Sequence, residues 1–281
     1  MSSVRRQRVA SNRTAPAGSV PVRLYVRRRR KRLAHASFTF LFLVALVLFS
    51  SGLSYRETFL IGSIRVEGAG EIPKEEVVAA AKEILEDDGF NFFARKNILL
   101  YPKGKIVKKI TTDFPRAREV SAGIEDIFGG VLVIKVSERH AEALWCAEEE
   151  CFLMDDGGFI FARSSNQENG GSLVRFEGAL AGAKAIGSTY LPTEFARVKD
   201  LLELLERMSP KSFNVVSASD FEIEFENGMY VLASFSQDNG AIDANLQTAL
   251  ASDDLRGRED IEYVDLRFGN RAYFKFKNGG I

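Results

Sequence analysis

Acidic residues are absent from the first 56 positions, and the first to appear is Glu57. The first 36 positions hold eleven of the 38 Lys and Arg: Arg5, Arg6, Arg8, Arg13, Arg23, Arg27 to Arg30, Lys31 and Arg32. A total charge near zero therefore hides a basic tail joined to a body in which 27 bases face all 38 acids. Histidine is scarce as well, with only His35 and His140, and neither stands near a nucleophile signature. No G-x-S-x-G, H-E-x-x-H, Walker-type glycine loop or strand-borne G-x-G-x-x-G occurs. Asp155 and Asp156 are adjacent carboxylates, but Gly157 and Gly158 follow and make them turn formers first. No catalytic residue is assigned, and no cofactor or metal is expected.

Charge is also missing from Ala36 to Tyr55, with Leu, Val and Phe dense between Phe38 and Phe49. At 1.5 Å per residue, about 20 residues of helix make ~30 Å, the thickness of a hydrocarbon core. Positive charge beside one end keeps that end cytoplasmic, so residues 1–35 are expected inside the cell and the body outside, with Tyr55 at the outer interface. A cleaved signal peptide is the competing reading, because the densest apolar stretch is short and Ser50, Ser51 and Gly52 are small; no A-x-A site follows. The tail has no apolar period and reads as disordered, lying against anionic lipid rather than binding nucleic acid.

The body alternates strand and helix patterns. Ile64 to Glu67 reads as a short strand, and Pro73 opens a helix carrying Val77, Val78, Ala81, Ile84 and Leu85 that Gly89 should end. A second helix runs through Lys105 to Ile110 and is broken at Pro115. Strands follow at Ala117–Ile124 and Val131–Ser137. Strand, helix, helix, strand, strand predicts a small mixed sheet with both helices on one side, over residues 60–137. Lys103, Lys105, Lys108, Lys109, Arg116 and Arg118 form a solvated basic face or a docking face for a partner or lipid.

Residues 138–281 follow without a linker. Strands are predicted at Ala143–Cys146, Cys151–Met154, Phe159–Ala162, Leu173–Phe176, Phe213–Ala218, Asp220–Phe225, Met229–Ser234, Glu262–Phe268 and Ala272–Lys277. Turns stand at Asp156-Gly157-Gly158, Asn227-Gly228 and Gly269-Asn270. Pro192–Met208 sets Phe195, Val198, Leu201, Leu202, Leu205 and Met208 on one helical stripe, and Ala241–Ser252 is a shorter helix. The expected fold class is α+β: one N-terminal transmembrane helix (residues 36–55), a small βααββ domain, then a mainly antiparallel β domain with helices on one face. A last strand this close to Ile281 is expected at a sheet edge, where unpaired N–H and C=O groups need a partner or protection. Cys146 and Cys151, the only two cysteines, read as a disulfide across a tight hairpin in an exported domain, against a metal site or two reduced thiols.

IRVEG (Ile64 to Gly68), IPKEEV, DFPRAREV (Asp113 to Val120) and VLVIKVSERHAEALW (Val131 to Trp145) resemble the membrane-proximal POTRA domain of the FtsQ/DivIB cell-division family. CFLMDDGGFIF (Cys151 to Phe161), LPTEFARVKDLLELL (Leu191 to Leu205) and YVDLRFGNRAYFKF (Tyr263 to Phe276) are similar to successive parts of that family's β domain. The resemblance spans residues 37–277 and rests on the order of the motifs. It implies a bitopic divisome protein of the inner membrane, without enzymatic activity, that recruits and regulates septal peptidoglycan synthesis. Its implied partners are FtsB/DivIC-like and FtsL-like proteins bound by strand addition at the last strand, with other divisome components at the POTRA domain. Arg267 then falls where the family pairs a base with a partner carboxylate, and Phe268 and Phe276 where aromatics cover the partner. Arg271 and Tyr273 lie on the pairing strand without matching identities. On this reading Phe268→Ala with Arg267→Ala abolishes partner capture and leaves the fold intact. A POTRA-bearing envelope scaffold or chaperone unrelated to division is the alternative.

Overall fold

The computed structural model describes residues 22–86, 92–165, 173–178, 180, 184–269 and 271–277. Helix α1 runs Val22–Ser54, and its part from Arg28 to Ser54 is long and apolar enough to cross a membrane. The helix starts well before Ala36, inside the segment read as disordered. No Pro or Gly interrupts the chain from Val22 to Ser51, and Arg, Lys, Leu and Ala are good helix formers, so the apolar helix extends back through the basic block. Residues 1–21 of the tail lie outside the described residues. The far end of α1 is fastened: Ser54 is buried, its hydroxyl accepts the Ala94 N–H at 3.1 Å, and its carbonyl accepts from Asn97 Nδ2 at 3.1 Å.

Five elements follow: β1 (Ser63–Glu67), α2 (Lys74–Leu85), α3 (Lys103–Asp113), β2 (Ala117–Asp126) and β3 (Val131–Glu138). The sheet order is β1-β3-β2, with β1 parallel to β3 and β2 antiparallel to it. Leu132, Ile134 and Val136 share one face by the strand period of two and pack under Val77, Ala81, Ile106 and Ile110 of the helices. Glu75 and Glu76 in the first turn of α2 favour its positive dipole end. The helix closes at Glu86; Gly89, expected to end it, lies outside the described residues. Phe114 caps α3 directly before Pro115, as the rule for residues preceding proline requires.

The second unit contains β4 (Ala143–Ala147), β5 (Glu150–Met154), β6 (Ile160–Arg163), β7 (Arg175–Glu177), α4 (Phe195–Leu204), β8 (Pro210–Val215), β9 (Asp220–Phe225), β10 (Tyr230–Ser234), α5 (Asn239–Ala251), β11 (Ile261–Phe268) and β12 (Arg271–Phe276). They build a nine-stranded sheet in the order β12-β11-β10-β9-β8-β7-β4-β5-β6. The sheet is more mixed than the sequence suggested, because β4/β7, β7/β8 and β10/β11 are parallel. Parallel neighbours require a crossover, and α4 and α5 supply it for β7 to β8 and β10 to β11. Both crossovers step the same way across the sheet between strands of the same direction. A common right hand therefore puts both helices on one face.

The α4 stripe Phe195, Val198, Leu201 and Leu202, extended by Leu205, is buried against Phe176, Phe213 and Ile223. Each such side chain contributes about 1.5–3 kcal/mol through burial. The helix is shorter than Pro192–Met208, since Glu206–Met208 is a 3-10 turn ending at Ser209 in the left-handed region. On the opposite face of β4 to β6, Leu144, Cys146, Leu153 and Phe161 form a small second cluster. Arg116 of the first domain reaches it, its guanidinium 5.3 Å from the Phe161 ring, and the Arg139 guanidinium lies 4.1 Å from the Phe159 ring. Cys146 and Cys151 stand directly opposite in the β4–β5 ladder and are joined by a disulfide.

Candidate functional site

β11 and β12 form an antiparallel pair in which Val264 faces Phe274 and Asp265 faces Tyr273. This register sorts the side chains. Val264 and Leu266 of β11 point into the core under α5, while Asp265 and Arg267 share the other face with Tyr273. β12 has one hydrogen-bonded neighbour and is the edge of the nine-stranded sheet.

Phe268 is 56% exposed and Tyr273 50%, and their rings meet edge to face at 5.2 Å. Arg267 lies against the same aromatic pair, its guanidinium 5.7 Å from the Phe268 ring. Arg271 is exposed across the turn from Phe268 and lines a groove of about 300 Å³ between α5 and β12, together with Thr248, Leu255 and Phe274.

Two of the expected residues are engaged within the chain. Phe276 is only 6% exposed and belongs to the core, with the Arg258 guanidinium 3.8 Å over its ring, so it does not present a surface to a partner. The sequence alternation left this open, and the pairing of β12 with β11 turns residue 276 inward. Arg267 is already engaged within the chain. Its Nε and Nη2 donate to Asp265 at 2.9 and 2.6 Å, and its Nη1 reaches Asp220 at 3.4 Å. These hydrogen bonds raise the guanidinium pKa above its ordinary value. Burial pushes the Asp265 carboxyl up, but the side-chain and backbone hydrogen bonds of Arg267 outweigh it and hold the group below the usual carboxylate range. A partner carboxylate must therefore compete with Asp265 and Asp220. The i, i+2 spacing of Asp265 and Arg267 put both on one strand face and was readable; the contribution of Asp220 from β9 was not.

The remaining candidates have structural partners. Asp155 is buried, accepts the Gly157 and Phe159 N–H groups at 2.9 Å each, and is ion-paired to Arg139, which follows the junction of the two domains. Asp156 pairs with Arg118 at 3.1 Å at the same junction. Within the basic face, Lys109 is bound by Glu83 at 3.1 Å and Asp113 at 3.0 Å, so with Arg116 and Arg118 half of that set is used internally. His140 is exposed. Among the described residues, no three His, Cys, Asp or Glu side chains converge as a metal site. No protein-family model and no curated protein matches the chain.

Proposed function

We propose that this chain is a single-pass, non-enzymatic division protein of the FtsQ/DivIB type, anchored in the cytoplasmic membrane with its N-terminus inside. On this reading residues 60–137 are a POTRA domain and residues 138–281 a β domain. The protein assembles with FtsB/DivIC-like and FtsL-like partners at the septum, and other divisome components meet the POTRA domain.

The observation that carries the proposal is β12, an open sheet edge flanked by the exposed rings of Phe268 and Tyr273. An edge strand offers a partner a row of main-chain groups, and side chains alternating along it supply selectivity. The apolar length of α1 and the order β1-α2-α3-β2-β3 ahead of the large sheet support the same reading. A fluorescent fusion tested in dividing cells, with and without residues 262–281, decides it. A midcell band that loses its partners on truncation supports the proposal. Uniform membrane fluorescence in complementing cells overturns it in favour of a general envelope scaffold.

A further inference from the structure

The uncharged stretch Ala36–Tyr55 is about 20 residues, or ~30 Å of helix, which places the outer hydrocarbon boundary at the last turn of α1. That turn is bonded to the loop ahead of α3. The Ser51 hydroxyl donates to the Phe92 carbonyl, and Ser54 accepts from Ala94 and Asn97. The loop thus lies at the depth where the helix leaves the bilayer. It carries large apolar side chains outward: Phe92, Leu99 and Leu100 are all exposed, Leu99 by 75%.

A second loop reaches the same end. β1 runs parallel to β3 with Ser63 opposite Val131, so the β2–β3 turn sits where the chain arrives from α1, and the Gly62 N–H donates to the Gly130 carbonyl at 2.9 Å. This turn presents Ile127 and Phe128, the latter 92% exposed. A single exposed apolar residue is ordinary. Five large ones gathered on two loops beside a membrane-spanning helix make a surface that water does not favour.

We propose that these two loops insert into the outer-leaflet interface of the same bilayer that α1 spans, so that the first domain is held by three attachments rather than hanging from one helix. The occupant is the lipid headgroup and upper acyl region. That is where α1 must leave the membrane, and where aromatic and large aliphatic side chains are stable. The proposal rests on the reading that α1 spans the bilayer. It predicts that the domain keeps a fixed orientation to the membrane without any protein partner.

The test uses the full-length chain in nanodiscs of phosphatidylethanolamine and phosphatidylglycerol whose acyl chains carry bromine, a collisional quencher of tryptophan. Phe128→Trp and Leu99→Trp report on the two loops, Phe42→Trp on α1, and Leu204→Trp on an exposed site in the second domain. The signal of the single native tryptophan, Trp145, is subtracted using the wild-type chain. The expected result is loss of most emission from the Phe42→Trp variant and strong quenching with a blue shift at residues 99 and 128, while residue 204 stays at the unbrominated level. Quenching at residue 42 with residues 99 and 128 matching 204 overturns the proposal, and leaves these loops to a protein partner or a second copy. An unquenched residue 42 removes the spanning premise and the proposal with it.

Discussion

Removing the Arg267 side chain tests whether this arginine is a free binding residue or part of the fold. In Arg267→Ala the Asp265 carboxylate, only 7% exposed, loses two short guanidinium bonds and keeps one backbone N–H at 3.1 Å. Stranding one member of a fully buried pair costs about 3–5 kcal/mol, and the partial exposure of Arg267 brings the expectation to about 2 kcal/mol. Chemical denaturation of residues 60–281, read by the tryptophan emission and far-ultraviolet dichroism, gives the number. Asp265→Asn combined with Arg267→Ala should recover much of it, because the uncompensated charge is gone. The pH dependence follows from the sign of the shift. The Asp265 pKa is depressed in the fold, so its stabilisation is present above the unfolded value of about 3.9 and fades as pH falls through the folded value. The penalty of Arg267→Ala should therefore shrink as pH falls, beginning above about pH 4, because burial without the guanidinium makes the stranded group protonate more readily than in the unfolded chain. A loss under about 0.5 kcal/mol at pH 7 would refute the reasoning and return Arg267 to the role of a free surface base. A loss near 2 kcal/mol means that Arg267→Ala cannot serve as a clean binding variant, in contrast to Phe268→Ala and Tyr273→Ala.

Replacing Cys146 and Cys151 by Ser should lower stability by roughly 2 kcal/mol, the loop-entropy value for so short a ring, with no loss in reducing buffer; equal midpoints in oxidising buffer contradict this. Arg139→Met strands the buried Asp155 at the domain junction and should cost about 3 kcal/mol by calorimetry, with Asp155→Asn restoring part of it. Burial pushes the Glu138 carboxyl up, but the Ile72, Gly70 and Glu71 N–H groups outweigh it and hold its pKa below the ordinary value. Its contribution is therefore present above about pH 4.3 and lost as pH falls through the folded value, so Glu138→Gln should flatten the acid limb of stability against pH.

What the sequence revealed and what it hid divide along the range of the interactions. The α4 stripe was legible because a period of 3.6 is a local property, and so was the Cys146–Cys151 hairpin, whose partners are five residues apart. The parallel pairs β4/β7 and β10/β11 were not, since crossover connections leave no signature in either strand. The same limit left Phe276 open between core and partner surface. Alternation alone divides β12 into two faces, but the β11 register decides which face is buried, and position 276 falls on the inner one. Helix α1 exceeded its expected length because arginine-rich sequence reads as disordered tail or as helix depending on whether an apolar helix is there to propagate.

The central claim is that β12 accepts a strand from a partner. Amide hydrogen exchange of residues 60–281, with and without the soluble segment of a candidate FtsB/DivIC-like protein from the same cell, tests it most directly. Strand addition predicts that amides of residues 271–277 become strongly protected while β6, at the opposite edge of the sheet, is unchanged. Binding that protects another surface and leaves β12 exchanging as before would contradict the account.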